Sequence, residues 1–285
     1  MLSSLFAAVV ARLRGLGRRG IGSSSGGVRR RAARPRLEAL EDRCVMSNTT
    51  SIPAFTDIPP IVAIPDVLMA FQPKANPSVA FVGDSISFGY AYGEGAPVWA
   101  ALMAPLGAAN YGIPGQTTQS LLYQLSLGQL NGIHPSVVVL NIGGNNLLEG
   151  DTPQAAADGV LADVTAIHQY LPQTQILVLG VLPGKQSPDD SYRLLGAQTD
   201  ALVQQMLAGD PLAKFVSINS AFVQPDGTIS NTVMYDYLHP TTIGYLNMTD
   251  ALLPVIRQTV GVGAPSLPAP AAPAPSAHSL ILMSP

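Results

Sequence analysis

One stretch, Ser78-Val79-Ala80-Phe81-Val82-Gly83-Asp84-Ser85-Ile86-Ser87-Phe88-Gly89, restricts the possible folds of this chain more than any other. A short apolar run rich in β-formers breaks at Gly83-Asp84-Ser85 and passes through small residues to a glycine. The run predicts a buried strand, and its abrupt end predicts a turn that lifts the Ser85 hydroxyl just outside the carboxyl end of a sheet. Open α/β sheets place their ligands there. Asp or Ser in such a turn also caps a helix, so the turn takes its meaning from the rest of the chain.

Beyond residue 89, strand and helix patterns alternate. Strands are expected at 79–83, ending at Asn110-Tyr111, at 136–142, 175–181 and 215–219. The run Ser136-Val137-Val138-Val139-Leu140-Asn141-Ile142 is continuously apolar, as suits a sheet covered on both faces. Helices are expected around 97–103, 117–127, 192–207 and from Thr241, with Pro254 bending the last. Another opens at Asp151-Thr152-Pro153, a capping residue ahead of a first-turn proline. It turns Val160, Leu161, Val164, Ile167 and Leu171 to one side. Five strands alternating with helices predict a three-layer α/β/α domain over residues 78–260 around a parallel sheet.

The flanks differ in kind. Ten of the 15 basic residues lie before residue 45 against three acidic ones, so that arm is net +7 and the remainder net −10. An acidic body argues against a nucleic-acid groove in the folded part. Residues 1–47 read as a disordered basic arm, 48–77 as a Pro-rich connector and 261–285 as a Pro/Ala-rich disordered tail. Within the arm, the segment from Arg34 to Ser47 resembles the "LExLEDR" sorting segment near the start of many exported bacterial proteins. Cys44 stands there where a small hydroxyl residue is expected. That resemblance implies an exported, extracellular or cell-surface protein. A single cysteine allows no intramolecular disulfide, and no apolar run approaches the length of a membrane span.

Of four histidines, His239 alone falls on the same sheet edge as Ser85; His134 precedes the third strand at the opposite edge, His168 lies in a helix and His278 in the tail. Asp236 precedes His239 by three residues. A carboxylate at that spacing can accept from Nδ1–H and leave Nε2 to take a proton from a serine. Acyl transfer also needs donors preset for the charge that builds on the carbonyl oxygen. Two glycine-containing loops on this edge could supply them: Asn110-Tyr111-Gly112-Ile113-Pro114-Gly115-Gln116-Thr117 and Asn141-Ile142-Gly143-Gly144-Asn145-Asn146. Other patterns fail. Gly15 to Gly20 fits a dinucleotide fingerprint but comes after no strand, and Gly180 to Gln186 is one residue short of a phosphate loop. Ser85 lacks the G-x-S-x-G elbow, and no His/Cys cluster suggests a metal or other cofactor.

Gly83-Asp84-Ser85-Ile86, the Asn110–Thr117 block, Gly143-Gly144-Asn145 and Asp236-Tyr237-Leu238-His239-Pro240 resemble, block by block and in order, the SGNH hydrolases, the GDSL-type esterases and lipases. The similarity spans about residues 78–258. It implies a flavodoxin-like fold with a five-stranded parallel sheet and a serine esterase activity on small-molecule or polysaccharide esters. It also implies Ser85 as nucleophile, His239 as base, Asp236 as its orienter, and an oxyanion hole from Ser85 N–H, Gly115 N–H and the Asn145 side chain. Ile86 replaces the motif's Leu, and Asn146 stands where many members have Asp; neither position carries a catalytic role. Asp84 is expected to make structural hydrogen bonds. Two alternatives stay open: a lysophospholipase or thioesterase with the same triad, and a non-catalytic surface protein that binds carbohydrate.

Overall fold

The computed structural model describes residues 76–261. The arm, its sorting-like segment, the tail and all of the connector except Asn76 and Pro77 lie outside the described residues. Five strands, β1 (Val79–Gly83), β2 (Ala108–Asn110), β3 (Val137–Asn141), β4 (Gln175–Leu179) and β5 (Ala213–Val216), form one sheet in the order β2-β1-β3-β4-β5. Every pairing is parallel. This is the doubly wound order whose switch point falls between β1 and β3, where the crossovers leave in opposite directions and open a crevice.

The helices are α1 (Ser85–Tyr92), α2 (Ala96–Val98), α3 (Thr118–Ser126), α4 (Gly144–Leu148), α5 (Pro153–Tyr170), α6 (Ser191–Met206) and α7 (Thr242–Thr259). Most start where a short polar side chain satisfies a first-turn N–H. Asp84 accepts from Ile86, Thr152 from Ala155, Asp190 from Tyr192 and Thr241 from Gly244. Thr117 and Ser120 cap α3 reciprocally. The chain after α2 continues as a π-helical turn over Trp99–Met103 and a 3₁₀ turn over Ala104–Leu106.

Because side chains alternate along a strand, each central strand feeds two cores. Ala80, Val82, Val138, Leu140, Ile176 and Val178 pack with Leu121, Leu125, Val160, Val164, Ile167 and Val203 of α3, α5 and α6. Val79, Phe81, Val137, Val139, Leu177 and Leu179 pack with residues of α1, α2 and α7, including Tyr90, Tyr245, Met248, Leu252 and Ile256. On this second face Phe81, Tyr90 and Trp99 meet edge to face at 5.1–5.6 Å, and Tyr245 stacks on Tyr90 at 5.2 Å. The three-layer expectation holds.

Two strand ends move and one helix is added: the fourth strand stops at Leu179 rather than at 181. The last strand is Ala213–Val216 rather than 215–219, because Ile218 leaves extended geometry and Asn219 turns its amide back to Val181 O at 3.2 Å. The segment 85–92, which lacks an apolar stripe, is helical because Asp84 caps it and its buried Tyr90 joins the aromatic cluster.

Leu252 is fully buried where α7 meets the sheet. Leu252→Ala should cost about 2–5 kcal/mol in urea unfolding. A loss below about 1 kcal/mol would show that α7, and the loop it anchors, is not held by this packing.

Candidate active site

Ser85 is the first residue of α1, separated from Gly83, the end of β1, by the capping residue Asp84. Gly83 has φ +148, and a Cβ there would stand 2.0 Å from the Asn141 carbonyl oxygen. Only glycine lets β1 and β3 lie this close at the point where the turn begins. Asp84 is buried beneath the turn; its Oδ1 accepts from the Ile86 N–H at 2.9 Å and lies 3.5 Å from Asn141 Nδ2. The Ser85 N–H, at the first helical position, has no place in the helix ladder.

The partner imidazole arrives from the loop ahead of α7. Asp236 Oδ1 accepts from the N–H groups of Leu238 at 3.0 Å and His239 at 2.7 Å, while Oδ2 accepts from His239 Nδ1 at 2.8 Å. One carboxylate therefore both folds the loop and holds the ring. With the ring proton on Nδ1, Nε2 is bare, and it lies 3.0 Å from Ser85 Oγ. Partial burial pushes the Asp236 carboxyl up, but the backbone and ring hydrogen bonds from His239, that residue's electrostatic pull and the Leu238 N–H hold it below the usual carboxylate value. Tyr235 stacks on the imidazole, its ring centroid 5.9 Å away.

Lys185 and Tyr237, the non-glycine residues with left-handed backbone among the described residues, meet each other. The Lys185 N–H donates to the Tyr237 carbonyl, tying the β4–α6 loop to the His239 loop. Tyr245 extends the same link from α7, its hydroxyl donating to the Ile86 carbonyl at 2.9 Å.

Two further loops complete the rim. Gly143, at φ +99, turns the chain from β3 into α4, and Asn145 comes two residues later. The Asn145 Nδ2 donates to the Gln116 carbonyl at 2.9 Å, and its second hydrogen meets no acceptor among the described residues. Gly115 is left-handed at φ +77 with open space beside it, and its N–H makes no hydrogen bond among the described residues. Asn146 pins the two loops together: its Oδ1 accepts from the Thr118 N–H at 3.0 Å, and its Nδ2 reaches Asp151 Oδ2 at 2.9 Å.

A small cavity opens beside Ser85, walled by Ile86, Asn145, Leu148, Val181, Leu182, Tyr192 and Leu238. Burial pushes the Asp84 carboxyl in this wall up to about 6, against the opposing pull of the Ile86 N–H and His239. Burial likewise pushes the Tyr192 phenol up, helped by the charges of Asp84 and Asp200.

Ser85, His239, Asp236, Gly115 and Asn145, the five residues singled out in the sequence, thus share one edge of the sheet. His168 lies apart, its Nε2 3.1 Å from Asp210, and His134 precedes β3 at the other edge. Cys44 and His278 lie outside the described residues. No group of three or more His, Cys, Asp or Glu side chains that could hold a metal ion occurs among the described residues. No helix among them is long and apolar enough to cross a membrane. The Gln116 carbonyl, the stacked Tyr235 and the Tyr192 wall were not legible in the sequence. A backbone acceptor can sit on any residue type, and the aromatics carry no spacing signal.

Residues 81–246, more than half of the chain, match the model of the GDSL-like Lipase/Acylhydrolase family. The chain belongs to this family. As a GDSL-like acylhydrolase it is an ester-hydrolysing enzyme. The human platelet-activating factor acetylhydrolase IB subunit alpha1 is 40% identical over 200 residues, covering 68% of this chain and 84% of that protein. The chicken alpha2 subunit is 36% identical over 183 residues, covering 64% and 77%. Among solved structures, a GDSL-like lipase from Bacteroides thetaiotaomicron superposes with TM-score 0.50 at 19% identity, covering 68% of this chain and 95% of that one. A catalytic mutant of an acetylxylan esterase from Geobacillus stearothermophilus gives TM-score 0.50 at 17% identity, covering 67% and 97%. The two superpositions speak to the fold.

Because Asp84 binds its proton more tightly in the folded acylhydrolase than in the unfolded chain, its contribution to stability falls as pH rises through about 4 to 6. Asp84→Asn keeps an acceptor at the cap and removes the charge. Its stability relative to wild type should rise from near zero at pH 3.5 by up to about 3 kcal/mol at pH 8, measured by urea unfolding. A difference that stays constant with pH would contradict the buried-carboxyl account.

Proposed function

We propose that the protein is a metal-free serine esterase with a preference for short acyl groups, acetyl above all. Ser85 attacks the ester carbonyl while His239 Nε2 takes its proton. The developing imidazolium is matched by Asp236, which stays ionised because its hydrogen bonds keep its pKa low. His239 returns the proton to the departing alcohol, and a water activated by the same nitrogen releases the acyl group from Ser85. The oxyanion receives the Ser85 and Gly115 N–H groups and the second hydrogen of Asn145 Nδ2.

The observation that carries this reading is the continuous chain from Ser85 Oγ through His239 to Asp236, with contacts of 3.0 and 2.8 Å. The acyl preference is supported by the cavity, which sets Leu148, Val181, Leu182 and Leu238 beside the polar Asp84, Asn141 and Asn145 and leaves room for about one water-sized group. A methyl fits such a space; a long chain would have to displace Leu148, Val181, Leu182 or Leu238. That favours an acetyl esterase over the lysophospholipase or thioesterase alternative. The full set of functional side chains favours it over a non-catalytic carbohydrate-binding protein. The names of the relatives, an acetylhydrolase subunit and an acetylxylan esterase, agree with it. Acetylated small molecules or polysaccharides met outside the cell are the substrates we assign, the export reading resting on the segment from Arg34 to Ser47.

Ser85→Ala should abolish turnover of p-nitrophenyl acetate, and retained turnover would remove the assignment. Asn145→Ala should lower kcat by roughly 10²–10³ with little change in KM; a wild-type kcat would exclude that side chain from the oxyanion hole. Across p-nitrophenyl esters, kcat/KM should fall by roughly tenfold or more from acetate to butyrate, since a chain too large for a packed pocket costs on the order of 1–3 kcal/mol. A rise from acetate to octanoate would show that the pocket is not the acyl site.

A further inference from the structure

Behind the rim, out of reach of any substrate, lies a pair of glutamines that the proposed reaction does not use. Gln116 and Gln124 are both fully buried, and Gln116 Nε2 donates to Gln124 Oε1 at 2.7 Å. Gln124 sits in α3, a helix fixed by its reciprocal cap and by the buried Leu121 and Leu125. Gln116 sits in the loop before that helix, directly after Gly115. Its N–H donates to the Ile113 carbonyl at 3.2 Å, and its own carbonyl accepts from Asn145 Nδ2.

The pair is a poor stabilising element. Gln116 Oε1 and Gln124 Nε2 are buried with no partner among the described residues, so an apolar pair of the same shape would leave fewer polar groups stranded. What the contact does supply is position. The Gln116 carbonyl belongs to the Gln116–Thr117 peptide, which is otherwise tied down by the Thr117 N–H bond to Ser120 Oγ at 2.9 Å and could tilt about it. Anchored through its side chain to α3, Gln116 holds that carbonyl still, and the carbonyl fixes the Asn145 amide by one of its two hydrogens. The other hydrogen is then aimed rather than free to turn.

We infer that Gln116 and Gln124 are positioning residues that orient Asn145, so that its amide is preset for the oxyanion before substrate arrives. The inference rests on the proposed roles of Ser85 as nucleophile and Asn145 as oxyanion donor. Preset donors act because they need no reorganisation during the reaction, and a loosened donor loses part of that advantage while ground-state binding is left intact.

The test is Gln124→Met, which keeps length and approximate volume and removes the acceptor. With p-nitrophenyl acetate, kcat should fall roughly 5- to 30-fold, a part of the 10²–10³ expected for deleting an oxyanion donor. KM should stay within about twofold, while the thermal midpoint falls slightly because the buried Gln116 Nε2 loses its acceptor. The affinity for a trifluoromethyl ketone analogue of the tetrahedral intermediate should fall in step with kcat. A residue with a packing role only would lower the thermal midpoint in the same way but leave that affinity unchanged. In an Asn145→Ala background, Gln124→Met should have almost no further effect on kcat, because the group it orients is gone. A wild-type kcat for Gln124→Met, or a loss that persists undiminished in that background, overturns the inference. If Gln124→Met does not fold, Gln116→Met breaks the same contact while retaining the carbonyl, and the same outcomes apply. Active Ser85→Ala enzyme would remove the underlying esterase reading; expected losses in Ser85→Ala and Asn145→Ala with unaffected Gln124→Met would remove this inference alone.

Discussion

The 3.0 Å approach of Ser85 Oγ to His239 Nε2 joins residues 154 positions apart, and most of the structure is what makes that approach possible. One partner rides on the end of β1, the other on a loop that opens α7. Neither segment could place its side chain alone. β1 is central, buried on both faces and flanked by β2 and β3, while α7 is pressed onto the same sheet by Tyr245, Met248, Leu252 and Ile256. The Tyr245 hydroxyl on the Ile86 carbonyl then ties the helix behind His239 to the helix that starts with Ser85. A shift of either element along the sheet would open the contact, so core packing and site geometry are one constraint here.

Around that contact, two carboxylates are driven in opposite directions. Asp236 is part-exposed, collects two backbone N–H bonds and the imidazole, and is held below its ordinary value. Asp84 is sealed beneath the Ser85 turn, and burial lifts it to about 6 despite the Ile86 N–H. Environment alone assigns the roles: Asp236 stays charged where the proposed reaction creates an imidazolium, and Asp84 serves the backbone as a cap. The Asn146 amide makes a similar point. It accepts from Thr118 and donates to Asp151, a two-way link that a carboxylate could not make.

Much of this was readable from residues. The Gly83-Asp84-Ser85 break after an apolar run located the sheet edge, and the Val137–Asn141 run announced a doubly covered central strand. Asp236 three places before His239 announced a supported imidazole. The five-stranded α/β/α architecture came from alternation alone. The features that stayed hidden had physical reasons. Helix α1 carries a glycine at position 89 and no apolar stripe, so only its cap and its tertiary contacts make it helical. Helix α4 has five residues, too few for a periodic signal. The end of β5 is set by where Ile218 turns away, which no local pattern encodes. The clamp on Asn145 depends on a main-chain carbonyl, whose identity a side-chain pattern cannot report.

The central claim is that a single serine at the end of the first strand is made nucleophilic by an imidazole from the far end of the domain. Covalent capture tests it without altering any residue. The full-length protein, treated with a fluorophosphonate at neutral pH, digested and mapped by mass spectrometry, should carry one adduct, on the peptide containing Ser85. It should carry none if it is first unfolded. An adduct on another residue, equal labelling of the unfolded chain, or no adduct at all would contradict the account.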